Sequence, residues 1–331
     1  MSNLLSESPE ATAWSDQTIA TLKSDNTFGS FNAGVVWVEI RNPSEGTPIL
    51  VDPEKLAKEI NERGQLLLLG HDPGKPIGRV VAARVFDAPD TRKFVGAVFG
   101  YYAGAVQSGF ADFGFDSTRL QEPPRTLPEM GDDLWIEIAV DPREVAEEWV
   151  DRAAEDAPFR IKKRPLSHNA AEAVVELIRV TVPYIALVWN PFVTAIATEA
   201  GKDTYKAFRG WLGRLIDHVS EHKNPILVLQ ASLRDCDVMF ILRGNDMDCL
   251  LAARDGLEAA AVQANHLVAT LRQRNTPLHT LYYEFDASRK VWIPSYAELK
   301  DGRLITDNRM LVVAEKLPQG LSLGFGGFDD E

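Results

Sequence analysis

Cysteine is nearly absent: Cys236 and Cys249 are the only two in 331 residues. Two thiols staple little in so long a chain. A disulfide scaffold is therefore excluded, and a reducing compartment, the cytoplasm, is the expected location. Basic charge is also short, with 35 Lys and Arg against 48 Asp and Glu and a formal net charge of −13. That balance argues against nucleic-acid backbones and anionic lipid as partners. The opening residues, MSNLLSESPEATAW, have neither a basic region nor a long apolar run, so no secretory signal is expected there. Their polar, acid-containing composition predicts a disordered tail over 1–26.

What remains is ordinary globular material. A chain with 45% hydrophobic and 25% charged residues can bury a core unaided, and its length suits about two domains. The spacing predicts an α+β protein. Residues 34–156 form a β-rich α+β domain, and 170–325 form a helical hairpin followed by a helix-backed antiparallel sheet. In the first domain, residues 35–40 (VVWVEI) read as a strand. Asp52-Pro53 caps and opens a helix that Gly64 ends, and strands follow at 66–69, 80–86 and 94–102. A Pro-rich loop is expected over 121–130. The phrase LWIEI-AVDP at 134–142 echoes VWVEI at 36–40 and Val51-Asp52-Pro53, so a second capped helix is expected after Asp141-Pro142. The basic cluster Arg160, Lys162, Lys163, Arg164 reads as a solvated linker, with an anion or nucleic-acid contact as the alternative.

In the second domain a helix is expected over 170–178. It leads into 180–198, VTVPYIALVWNPFVTAIAT, which carries no charge over 19 residues. Pro183, Asn190 and Pro191 favour a buried or interfacial helical hairpin, and membrane insertion is the alternative. A helix over 202–222, a hairpin at 226–243, a long amphipathic helix at 250–274 and a second hairpin at 278–296 complete the pattern. Alternation sends Tyr283 and Phe285 to one face of the last hairpin and Tyr282 to the other. Asp301-Gly302 marks a tight turn.

Three motifs carry candidate chemistry. Gly70-His71-Asp72-Pro73-Gly74-Lys75-Pro76 approaches a phosphate loop, but only three residues separate its glycines and Pro76 follows the lysine, so ATP binding is excluded and no cofactor is expected. His218-Val219-Ser220-Glu221-His222 fits H-x-x-E-H. On a helix His218 and His222 share a face and could ligate one zinc with Glu221 as base, given a third ligand such as Glu284 or Glu298. Solvated histidines at a helix C-terminus are the alternative.

The third motif rests on a resemblance. His71-Asp72, then Pro76-Ile77-Gly78-Arg79 and a hairpin, is similar to the region around the catalytic histidine of phage prohead-type serine proteases. The likeness spans about 36–102. It implies His71 as general base. The implied nucleophile is Ser108, in Gln107-Ser108-Gly109-Phe110, although Leu321-Ser322-Leu323-Gly324-Phe325 also offers a serine. No third triad member is identified.

A second resemblance covers about 194–271. An apolar helix runs into EAGKDTYKAFRGWL at 199–212, followed by a hairpin and an amphipathic helix. This pattern resembles the effector-associated adaptor modules of bacterial conflict and defence systems. It implies a non-catalytic adaptor or sensor that associates with a protein partner or with itself, in a defence or prophage setting. The alternative is a serine hydrolase using His71.

Overall fold

The structure, a computed structural model, describes residues 4–24, 26–39, 52–105, 107–115, 135–166, 176–184, 187, 199–233, 235–308 and 322–323. It is α+β and divides into two compact units. Among the described residues, unit 1 holds those up to His71, then Lys75–Gln107 and Ser322–Leu323. Unit 2 holds Asp72–Gly74 and Ser108–Asn308. The main division thus falls after Gln107, and not at 157–169 as the sequence suggested. The strand at 135–140 hydrogen-bonds into the sheet of unit 2, which carries the following residues with it.

Unit 1 is a five-stranded antiparallel sheet with helices against it. The strands are β1 (Ser30–Val38), β2 (Gln65–Leu68), β3 (Pro76–Asp87) and β4 (Lys93–Tyr101), in the order β1-β4-β3-β2, with the short strand Ser322–Leu323 beyond β2. The expected disordered tail is instead two helices, α1 (Leu4–Glu7) and α2 (Pro9–Leu22). Ser8 caps α2 and Pro9 occupies its first turn, where a missing N–H costs nothing. Leu4 and Ala11 are buried in an apolar cluster with Phe86, Ala88 and Phe94. That contact, invisible in a polar sequence, orders the segment.

Helix α3 (Pro53–Arg63) begins as expected. The Asp52 carboxylate accepts from the N–H groups of Glu54 and Lys55, and Gly64 ends the helix at φ 65°. Asn61 on this helix makes a two-way bond to a strand. Its carboxamide oxygen accepts from the N–H of Ala83 and its amide donates to the Ala83 carbonyl, both at 2.9 Å. The pairing of β3 with β2 reaches only Val80. The Asn61 side chain therefore serves Ala83 where strand pairing has stopped.

Unit 2 is an eight-stranded sheet with helices on one face. Its strands are β5 (Trp135–Val140), β6 (Arg160–Pro165), β7 (Glu176–Thr181), β8 (Pro225–Leu233), β9 (Cys236–Arg243), β10 (Leu278–Asp286), β11 (Val291–Leu299) and β12 (Leu304–Ile305). Their order is β12-β11-β10-β9-β8-β7-β5-β6. The expected antiparallel sheet is in fact mixed. β5 and β6, β7 and β8, and β9 and β10 are parallel pairs, while the hairpins β8–β9 and β10–β11 are antiparallel. The helices account for the difference. Parallel neighbours need a crossover, and α4 (Glu147–Ala154), α5 (Glu199–Val219) and α6 (Met247–Gln273) lie within the three crossovers.

The core lies between these helices and one face of the sheet. Trp149 and Val150 of α4, Phe208, Trp211 and Leu215 of α5, and Leu257, Ala261 and Leu267 of α6 pack against Ile136, Ile178, Leu227, Phe240 and Tyr283. The buried indoles keep their N–H groups bonded: Trp149 to the His218 carbonyl, Trp211 to that of Ala153, and Trp292 to that of Ala253. As expected from alternation, Tyr283 and Phe285 face this core. Tyr282 lies on the opposite face, stacked on Tyr296 with ring centroids 4.1 Å apart.

Two local expectations fail. Residues 176–178 are strand β7, not helix, because β7 pairs with both β5 and β8 in the middle of the sheet. After Asp141-Pro142 no helix begins at once. The Asp141 carboxylate accepts from the N–H and guanidinium of Arg143, closing a turn, and α4 starts at Glu147. Of the expected 180–198 hairpin, Val180 and Thr181 finish β7 and most of the rest lies outside the described residues, as does the 121–130 loop. Among the described residues no helix is long and apolar enough to cross a membrane.

Candidate functional site

A dense polar cluster in unit 2 forms around Arg243, the last residue of β9. Its guanidinium donates to both carboxylate oxygens of Asp72, at 2.6 and 2.7 Å, and its Nε donates to Glu284 of β10. Asp72 is 4% exposed. Its carboxylate also accepts from the N–H of Gly74, and the next carbonyl, that of Pro73, accepts the Tyr296 hydroxyl at 2.5 Å. A Cβ at Gly74 would fall 2.3 Å from the Arg243 guanidinium, which would have to shift to admit it. Burial works to lower the pKa of Arg243, but the bonds to Asp72 and Glu284 outweigh it and hold the cation above its usual value. A two-pronged guanidinium–carboxylate pair of this kind fixes direction as well as charge. The turn that begins at Asp72 is thus a clip on the β9–β10–β11 part of the sheet.

The residues of the protease resemblance are placed as follows. His71 ends a short 3-10 turn, Leu69–His71, in unit 1. Ser108 belongs to unit 2, where it forms an isolated bridge with Ile305 and its carbonyl accepts from the N–H of Thr306. Phe110, two residues on, is fully buried in the unit 2 core. Among the described residues Asp72, the carboxylate beside His71 in sequence, is committed to Arg243. Ser322 forms a two-residue strand with Leu323 against β2.

The H-x-x-E-H residues are separated by the end of their helix. α5 stops at Val219, so His222 leaves the face that His218 occupies. Nδ1 of His218 lies 3.0 Å from Glu221, whereas Nδ1 of His222 lies 3.2 Å from Glu176 at the start of β7. His222 packs edge-on against Trp149. The bond from His218, together with Arg152, holds the Glu221 carboxyl below its usual range. Glu176 is held low as well: burial opposes this, but bonds from Asn224, His222 and Lys223 prevail. Glu284, one proposed third ligand, is paired with Arg243. Among the described residues no group of three or more His, Cys, Asp and Glu side chains is arranged to hold a metal ion.

Neither thiol sits in an activating environment. Cys236 opens β9, and burial pushes its thiol up to about 12. Cys249 lies in the first turn of α6. Its bond to the capping Asp246 carboxylate also raises its pKa.

The sequence did not show what the basic cluster at 160–164 becomes. It is strand β6, the last strand of the unit 2 sheet among the described residues. Lys163 pairs with Asp151 of α4, and Arg164 lies 3.9 Å from Glu137. Lys162 sits over the Trp135 ring at 4.0 Å. Arg160, Lys162 and Lys163 are all exposed. A run of cations without hydrophobic alternation reads as linker, yet an edge strand needs apolar residues only where it meets the core. Ile161 meets that need, packing partly buried against the core. Comparison with protein-family models, curated proteins and solved structures gives no match to this chain.

Proposed function

We propose that the chain is a non-catalytic adaptor or sensor that acts in the bacterial cytoplasm by association with a protein partner, in a defence or prophage setting. One observation carries the reading. The His71-Asp72-Pro73-Gly74 turn, the most catalytic-looking phrase in the sequence, spends its carboxylate on Arg243 and its next carbonyl on Tyr296. Those bonds do structural work inside unit 2. Other reactive groups are engaged in the same manner: His218 and His222 with carboxylates, and Cys236 in the core.

The test is labelling of the full chain with a fluorophosphonate probe, beside His71→Ala and Ser108→Ala. The adaptor reading expects no labelling that depends on either residue. Stoichiometric labelling lost in both variants would establish the hydrolase instead. Crosslinking in cells, followed by purification of the tagged chain, should then yield one stoichiometric partner.

A further inference from the structure

We infer that the outer edge of β6 is a docking site for an extended, acidic segment of a partner protein, which adds to the unit 2 sheet as a further strand. The inference rests on the adaptor reading and names the surface it would use.

The backbone supplies the first part of the argument. β6 runs parallel to β5 in the register Trp135–Arg160 to Val140–Pro165, and the N–H of Leu166 donates to the Val140 carbonyl at 2.7 Å. In a parallel ladder alternate residues turn their N–H and C=O groups to the same neighbour. Leu166, Arg164, Lys162 and Arg160 therefore face β5. Ile161 and Lys163 turn theirs outward, where they meet no strand among the described residues. Outward groups repeating at every second residue match the repeat of an added strand.

Side-chain chemistry selects the occupant. Arg160 and Lys162 emerge on one face of the strand, exposed, with no carboxylate within ion-pairing distance among the described residues. Ile161 points to the other face and is half-buried at the rim of the core. An added strand would set its side chains beside these, so the complementary pattern is acidic and apolar in alternation. The same charges reject other occupants. A second copy of β6 would place cation against cation, which is unfavourable across a strand pair. A chain of net charge −13 does not favour a polyanion that lacks strand hydrogen bonds. The basic edge thus blocks indiscriminate pairing while admitting one class of strand.

The probe is a fluorescent peptide of alternating Glu and Val, titrated with the full chain at low salt and read by anisotropy. Two further versions carry N-methyl groups, one on the Glu amides and one on the Val amides. Only one parity faces β6, so one version should lose binding and the other keep it. Arg160→Glu with Lys162→Glu should weaken binding by at least ~10-fold, about 1.4 kcal/mol. Both residues are exposed, and an unchanged circular dichroism spectrum excludes misfolding. A peptide of alternating Lys and Val should not bind. Equal binding of the two methylated peptides, unchanged affinity after charge reversal, or displacement by single-stranded oligothymidylate would each overturn the inference. Absence of peptide binding alongside a stoichiometric cellular partner would overturn the docking site alone and leave the adaptor reading standing.

Discussion

Asp72→Ala should destabilise unit 2 by an amount that depends on Arg243. The wild-type pair consists of two charge-assisted bonds of 2.6 and 2.7 Å, and the two side chains are 6% and 31% exposed. Breaking one partner of a well-buried pair costs about 3–5 kcal/mol. The Arg243 side chain is about one-third exposed and keeps Glu284, so solvent recovers part of that, and the expected loss is ~2–3 kcal/mol. Arg243→Met should cost at least as much, ~3 kcal/mol, because it leaves Asp72 buried beside Glu284 with no cation. The double variant removes both members of the pair. Its loss should therefore fall short of the sum by ~2 kcal/mol, the coupling energy of the clip. Urea unfolding read by hydrogen exchange at the β8 and β9 amides follows unit 2 by itself. Additive single losses, or an Asp72→Ala chain as stable as the parent, would refute the assignment of Asp72 to a structural clip.

Four further outcomes are expected. Iodoacetamide at neutral pH should spare Cys236, whose thiol burial pushes up to about 12, and should modify Cys249 more slowly than a free thiol. Asp246→Asn keeps the cap on α6 but removes the carboxylate that raises the Cys249 pKa. The thiolate fraction rises, and mass spectrometry should show faster alkylation. Burial, and then Asp141, raise the Glu144 carboxyl above its usual value. The folded state thus holds this proton more tightly than the unfolded chain, and stability falls as pH climbs through the folded value. Glu144→Gln should raise the melting temperature at neutral pH, and the gain should vanish under acid. Asn61→Leu should cost unit 1 ~1–2 kcal/mol in thermal unfolding, since it strips two bonds from Ala83.

Local signals in the sequence carried far, and signals that depend on distant residues did not. The cap at Asp52 and the stop at Gly64 are written within a dozen residues. The apolar stripe of α6 and the alternation of Tyr282 and Tyr283 are equally local, and each appears where expected. Strand direction was not local. The β9–β10 pair is parallel because α6 returns the chain along the same face, which neither hairpin reveals alone. Residues 176–178 carry helix-forming Glu and Leu, yet strands on both sides override that weak preference. The helices at 4–22 depend on burying Leu4 and Ala11 beside Phe86 and Phe94, about 70 or more residues further along the chain. The Arg243 cluster is the extreme case: its partners lie 171 and 41 residues away, and no spacing rule joins them.

That cluster also bears on how the chain can be divided. Unit 2 takes Asp72–Gly74 from a stretch whose neighbours on both sides belong to unit 1. A gene truncated between Gln107 and Ser108 would encode all eight strands of the sheet but not these three residues. Such a fragment would carry Arg243 without Asp72 and Tyr296 without the Pro73 carbonyl. Excision by sequence position therefore yields a weakened piece, and a fusion or permutation that respects the fold has to keep the Asp72–Gly74 loop with the sheet it clips. The larger unit is a module in space without being a module in the gene.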